Sequence, residues 1–373
     1  MDDPPSRNVS VCFRVDSSIV IGTGHVMRCL TFANQLKEKG AQTHFICRDF
    51  QGNLSDLIRQ QGYKLTLLPV AKSERQIDKN HVMPTRYESW LGADWNEDAK
   101  DAIESLIKEK STWLIVDHYA IDAKWERKVK DATSVKIMDI DGQANRAHDC
   151  DILLDQTYSA EGASRWKHLL PQSCRLFVGP QYALIRPEFV IARKKIHKRD
   201  GIVKRILITF GGIDQPNMTS QAIDAVLASN LLGIEIDVLI SAANPHREIL
   251  AKLCKKNANL TLHVQSSNIA ELMSKADLAI GGGGTMMLER CMLGLPTLVI
   301  AIAENQIEPA RQLAKLGAAI YLGNADEMNI KTILTDKVNE LINNKNNLRK
   351  IENNCFQLMR KSHSEYVDII VST

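Results

Sequence analysis

A chain of 373 residues is longer than one ordinary hydrophobic core fills, and points to two domains. With 44% hydrophobic and 24% charged residues and a formal net charge of +3, the composition is globular and gives no electrostatic argument for a nucleic-acid partner, so small-molecule chemistry is the expectation. Eight scattered cysteines, with no close pair at metal-ligand or redox spacing, fit reduced thiols in a cytoplasmic compartment, and the absence of an apolar signal core or a bilayer-length apolar run argues against secretion and membrane insertion.

In chain order, residues 9–15 read as a buried strand, 16–24 as a polar glycine-containing loop, and 25–39 as a helix stopped by Gly40. A strand over 43–47, a helix over 54–61 and a strand over 64–68 continue the alternation of a parallel sheet covered by helices. Residues 70–95 show no clean period and read as an insertion or a ligand-facing loop; a helix over 96–109 and strands over 113–116 and 135–139 follow. The basic run 193–199 reads as a solvated linker. The pattern then restarts with a strand over 204–210, a tight loop, a helix over 217–228, and strands over 235–240, 260–264, 278–280 and 297–300. The stretch 330–361 is polar with a helical pattern. The expectation is α/β: two Rossmann-like domains facing across a cleft, residues 1–190 and 201–373 joined by a basic linker over 191–200, with the last helix packing back on the N-terminal domain.

Chemistry-bearing residues gather where strands end and helices begin, the edge at which open α/β sheets bind ligands. Arg14 and Asp16 close the first strand, and Gly22 and Gly24 precede His25 at the start of the first helix. The glycines let a ligand approach the backbone, the free N–H groups of a helix start favour an anion beside the imidazole, and a histidine's ordinary pKa of about 6.5 suits a general base. Four successive glycines, 281–284, follow an apolar strand and lead into Thr285 and, one helical turn on, Glu289. Backbone N–H groups near Gly283, Gly284 and Thr285 can hold a diphosphate, and Glu289 can accept from ribose hydroxyls. Neither a Walker lysine nor a spaced Gly-x-Gly-x-x-Gly accompanies this turn, which weakens ATP and NAD readings; no cofactor is expected.

Gly211, Gly212 and Asp214 form a second glycine turn, open to a ligand-binding or a purely strand-to-helix role, and Glu304, Asn305 and Gln306 can read sugar hydroxyl or acetamido groups or simply cap a loop. Asp117, His118 and Tyr119 reach the same cleft from the first domain, Tyr119 to bind sugar or orient His25. Asp139 and Asp141 look like a cation-holding pair, but no third ligand is visible in the sequence and no metal is expected.

Taken together, RVDSSIVIGTGHVMRCLT from Arg14, VDHYAID from Val116, FGGIDQPNMT from Phe210, GPQYALIRPEF from Gly179, ERCMLGLP from Glu289 and ENQ from Glu304 resemble the PseG family over nearly the whole chain. That family hydrolyses UDP-2,4-diacetamido-2,4,6-trideoxy-β-L-altropyranose on the route to pseudaminic acid. The resemblance implies a GT-B type fold, inverting hydrolysis without metal, His25 as the catalytic base, Tyr119 and Asn305 near the sugar, and the glycine turn with Glu289 around UDP. It implies a small-molecule UDP-sugar as the partner, with no nucleic acid. Where the family usually has a serine or threonine pair and a tryptophan before the glutamate, this chain has Thr285, Met286, Met287 and Leu288, which removes hydroxyl donors near the phosphates; the methionines read as helix core. A glycosyltransferase sending the sugar to an alcohol, and a regulator binding nucleotide sugar without turnover, are the rival readings.

Overall fold

The chain is described by a computed structural model covering residues 9–71, 87–229, 233–361 and 363–372. Its opening strand, β1 (Ser10–Val15), is buried from its second residue on, so both faces are covered, as in a parallel sheet flanked by helices. With β2 (Gln42–Arg48), β3 (Lys64–Leu68), β4 (Trp113–Asp117), β5 (Lys136–Ile140), β6 (Ile152–Asp155) and β7 (Arg175–Val178) it forms a seven-stranded parallel sheet ordered β3-β2-β1-β4-β5-β6-β7. The connecting helices are α1 (Gly24–Glu38), α2 (Ser55–Gln60), α3 (Trp95–Lys108) and α4 (Ala123–Thr133). Side chains alternate along β1: Val11, Phe13 and Val15 pack with Val26, Leu30 and Phe32 of α1, whereas Cys12 joins Leu106 of α3 and Trp125 of α4 on the other face.

Helix α5 (Pro187–Lys195) leads to a second, six-stranded sheet. Its elements are β8 (Arg205–Thr209), α6 (Met218–Ala228), β9 (Glu235–Ile240), α7 (Arg247–Lys256), β10 (Leu260–Val264), α8 (Ile269–Lys275), β11 (Leu278–Gly281), α9 (Met286–Met292), β12 (Thr297–Ala301), α10 (Ile307–Lys315) and β13 (Ile320–Asn324), followed by α11 (Ile330–Ile342) and α12 (Lys345–Leu358). The strands are parallel in the order β10-β9-β8-β11-β12-β13. In both sheets the strand order reverses beside the first strand, between β1 and β4 and between β8 and β11, and the carboxyl ends there are where such sheets bind ligands.

The chain divides into two units, residues 1–157, 161–184 and 363–373 in the first and residues 158–160 and 185–362 in the second. The stretch 330–361 contributes α11 and α12 to the second unit; it is the following helix, α13 (Glu365–Val371), that belongs to the first. There Tyr366, Val367 and Ile370 enter the core beside α1, with the Phe32 and Tyr366 rings 5.4 Å apart and the Tyr366 hydroxyl donating to the Tyr182 carbonyl at 3.1 Å.

The basic run is solvated at Lys194, Lys195, His197 and Lys198, which are exposed, but Arg193 and Arg199 are packed. Arg193 lies in α5, donates to the Met292 carbonyl at 2.9 Å and covers the Phe356 ring at 3.8 Å. Arg199 donates to the carbonyls of Met273 and Ala276 at the end of α8 and of Leu293 and Gly294 at the end of α9, and pairs with Glu352. Helix ends leave carbonyls without intrahelical donors, and one guanidinium carries enough N–H groups to serve two such ends. Of the segment 70–95, residues 72–86 lie outside the described residues, as do residues 1–8; the remainder includes a 3-10 turn at Glu88–Leu91. Among the described residues no helix is long and apolar enough to cross a membrane.

Candidate active site

The loop after β1 is set by its own hydrogen bonds. Ser18 Oγ accepts from the N–H groups of Val20 and Ile21 at 3.1 and 2.9 Å, and the Gly22 N–H donates to the Ser18 carbonyl at 2.9 Å. Gly22 has φ of +81°, a conformation a side chain disfavours, and from it the chain turns into Gly24 and His25 at the start of α1. Asp117, the last residue of β4, lies opposite Val15 in the sheet register and therefore at the same edge. His25 Nδ1 is 2.5 Å from Asp117 Oδ1. Arg28, one turn along α1, donates through Nε to Asp117 Oδ2 and through Nη2 to Oδ1, each at 2.5 Å. Burial alone would raise the Asp117 carboxyl, but the Arg28 guanidinium, followed by the His25 imidazole, holds it well below the ordinary carboxylate range.

An ionised Asp117 fixes the imidazole with Nδ1–H toward the carboxylate and leaves the Nε2 lone pair free to take a proton. Tyr119 meets the imidazole edge-on at 4.8 Å between centroids and Trp90 does so at 6.1 Å, and both keep the nearly buried ring from turning. Asp117, expected to contact substrate, is instead buried and partnered by His25, Arg28 and, at 3.5 Å, the Cys29 thiol. Arg28 and Trp90 were not singled out from the sequence. The signal for Arg28 is its spacing of three from His25, which puts both side chains on one helical face; Trp90 stands in a segment without periodicity.

Arg14 and Asp16 are also corrected from substrate binding. Arg14 points to the α3 side of the sheet and is fully buried, 2.8 Å from Asp16 and bound by two N–H groups to Asp98 at 3.2 and 2.7 Å. Asp98 further accepts from Arg48 Nη2 at 2.5 Å and Trp125 Nε1 at 3.1 Å, while Asp16 accepts from the Arg48 backbone N–H at 2.6 Å and lies 3.2 Å from His118 Nε2. With every charge paired, this layer braces the loop that carries His25. Farther along the edge, Glu126, Asp139 and His148 hold possible metal-ligand atoms within 4.8 Å of one another, including the partners for Asp139 that the sequence hid. His148 Nδ1 is 2.7 Å from Glu126, its Nε2 is 3.3 Å from Asp141, and Arg146 pairs with Asp141, which sets two basic groups among the three carboxylates.

In the second unit Gly281 ends β11, and Gly282, Gly283 and Gly284 form the tight turn that follows. A Cβ at Gly281 would stand 2.2 Å from both the Thr209 carbonyl oxygen of the neighbouring strand and Arg290 Nη1. Gly281→Ala is therefore expected to destabilise the protein by about 1–3 kcal/mol through overpacking, read as a lowered urea midpoint with an unchanged slope. The Gly283 N–H donates to Gln306 Oε1 at 3.0 Å and the Ile302 N–H to the same oxygen at 3.2 Å, so this oxygen of Gln306 closes the turn instead of reading sugar. Gly284 is exposed and Thr285 half-buried beside it. Arg290 is buried under the turn, donates to the Gly282 carbonyl and is pulled down to about 10 by burial, yet remains a cation near neutral pH.

Glu289 is buried, and both its oxygens accept from Arg186, at 2.6 and 2.8 Å, a residue whose part in the site no local sequence pattern marks. Met287 is buried in the core while Met286 and Leu288 are half-buried. Gly211 takes φ of +92° and the Gly212 carbonyl accepts from Ser241, a strand-to-helix turn. Asp214 leaves the candidate ligand set: buried, it accepts from the N–H groups of Met218 and Thr219 at 2.9 and 2.7 Å and caps α6. Glu304 and Asn305 form a 3-10 turn with Gln306 after β12, Glu304 exposed and Asn305 half-buried.

Residues 206–367 match the glycosyltransferase family 28 C-terminal domain. The chain is 30% identical over 310 residues to the UDP-2,4-diacetamido-2,4,6-trideoxy-β-L-altropyranose hydrolase of Campylobacter jejuni, covering 83% of this chain and 97% of the relative. The chain belongs to this hydrolase family. Within it, the His25, Asp117 and Tyr119 cluster and the glycine turn stand at the reversal points of their respective sheets. A second relative, the spore coat polysaccharide biosynthesis protein SpsG of Bacillus subtilis, is 22% identical and covers 84% of this chain and 83% of its own. The spinosyn rhamnosyltransferase SpnG, solved with thymidine diphosphate, superposes with a TM-score of 0.67 at 14% identity, covering 98% of this chain and 100% of its own, and the fold is of GT-B type.

Proposed function

We propose that this family member hydrolyses a UDP-linked 2,4-diacetamido-2,4,6-trideoxy sugar to free sugar and UDP, with inversion and in a cytoplasmic setting. The observation that carries the reading is the 2.5 Å contact between His25 and an Asp117 doubly held by Arg28. Water attacks the anomeric carbon opposite the UDP oxygen, the carbon–oxygen bond to UDP breaks, and the proton of the water passes to His25 Nε2. One in-line displacement inverts the anomeric centre. The resulting imidazolium is stabilised by Asp117, as a paired carboxylate does in other histidine-based sites. The N–H groups of Gly284 and Thr285, at the open end of a turn that the Gly283 N–H closes onto Gln306, meet the negative charge growing on the departing diphosphate, with the Arg290 charge beneath them. Tyr119 and Asn305 are assigned to the sugar, and Glu289, braced by Arg186, to the ribose. One substrate must engage residues of both units for this reading to hold.

The test is to offer a panel of UDP-diacetamido sugars without an acceptor and follow products by NMR. Free sugar of inverted anomeric configuration and UDP are expected. The match to a glycosyltransferase domain supports a second reading, transfer to an alcohol through the same residues. Release of UDP only when an acceptor is supplied would replace hydrolysis with that reading.

A further inference from the structure

Cysteines 150 and 174 are too far apart in sequence to suggest a pair, but the fold brings them together. Cys150 lies just before β6 and Cys174 just before β7, and the two strands are parallel neighbours with Ile152 opposite Arg175. Their sulfurs are 3.6 Å apart. The flanking backbone is already tied, since the Arg175 N–H donates to the Asp151 carbonyl at 2.9 Å, the His148 N–H to the Leu169 carbonyl at 2.8 Å and the Cys174 N–H to the Pro171 carbonyl at 3.0 Å. A disulfide needs the sulfurs only about 1.5 Å closer, a distance within side-chain adjustment. The two thiols are unlike: Cys150 is buried and Cys174 half-buried.

We propose that Cys150 and Cys174 form a reversible thiol–disulfide modification site, in which Cys174 is attacked first by a low-molecular-weight disulfide and Cys150 resolves the adduct. The Cys174 thiolate attacks one sulfur of the small disulfide and expels one thiol. Cys150 gives up its proton, attacks Cys174 Sγ and expels the second thiol, so one small disulfide becomes two thiols as the protein loses two hydrogens. The order of attack follows from exposure, since a small disulfide reaches the half-buried Cys174 before the buried Cys150, and burial together with the shared thiol contact pushes Cys150 up. Cys12, Cys29 and Cys47 are buried and raised by that burial, which leaves them poor nucleophiles. Cys291 and Cys355 also share a thiol hydrogen bond, but both are buried and shielded from a small oxidant.

The bond would fasten the segment that carries Arg146 and His148. Arg146 donates to the carbonyls of Ile121 and His118, on either side of Tyr119, so the modification bears on the loop beside His25. The experiment exposes the folded chain to oxidised glutathione, alkylates the remaining thiols and maps unreduced peptides by mass spectrometry. A peptide pair joined through Cys150 and Cys174 is expected in the unsubstituted chain, while Cys150→Ser keeps glutathione on Cys174 and Cys174→Ser leaves Cys150 unmodified. Glutathione persisting on Cys174 in the unsubstituted chain, or both thiols recovered free, would overturn the proposal. The mapping of the unsubstituted chain stands alone should either variant misfold.

Discussion

Replacing His25 with alanine is expected to lower turnover of the UDP-sugar by about 10²–10⁴-fold, the usual contribution of a positioned general base. The imidazole is held through Nδ1, so the loss removes the proton acceptor while the glycine turn of the second unit is untouched. UDP affinity, measured by calorimetry, should therefore change little. Asp117→Asn keeps the imidazole but removes the carboxylate that sets its tautomer and pairs with Arg28, and turnover should fall with UDP affinity retained. Near-normal turnover in His25→Ala would take the imidazole out of the mechanism.

The second large effect is structural. Asp98→Ala leaves Arg14 and Arg48 buried without the carboxylate they share, and breaking a buried charge network in this way costs about 3–5 kcal/mol. All five tryptophans, at positions 90, 95, 113, 125 and 166, belong to the first unit, so their fluorescence in a urea titration reads that unit selectively. The pH dependence has a definite sign. Asp16 and Asp98 are raised by burial but held below the ordinary carboxylate range by Arg14, so their folded values are depressed relative to the unfolded chain. The stability they contribute is present above the ordinary carboxylate pKa and lost as pH falls through the depressed values. Asp98→Ala should accordingly weaken the acid dependence as well as lower the midpoint at neutral pH.

Much of the architecture was legible in the sequence because it is written in local patterns. Residues 10–15 are a short, mostly apolar run ahead of a helix of period 3.6, and glycines stand where the chain must turn into α1 and α9. His25 was readable for the same reason, standing at the end of a strand and the start of a helix. Its surroundings were not. Arg14 and Asp98 are 84 positions apart, and only the register of β1 against the α3 side of the sheet reveals that their charges meet internally. Asp214 looked the same as a ligand carboxylate because a cap and a binding group share one chemistry, and only the accepted N–H groups tell them apart. The four-residue strands β6 and β7 are too short to show a period, which also concealed that Cys150 and Cys174 are neighbours. Charge alone made Arg199 resemble the exposed lysines before it, whereas the carbonyls it serves belong to helices some 75 and 95 positions onward.

Helix α13 sets a timetable for biogenesis. Tyr366, Val367 and Ile370 occupy hydrophobic positions beside Phe32, and they are translated after every strand of the second unit. A nascent chain thus carries the first sheet with part of its apolar surface unsealed while the intervening 178 residues, 185–362, are being made. Over that interval the face of α1 beside Phe32 lacks its cover, and the arrival of α13, not completion of the first sheet, finishes the amino-terminal half.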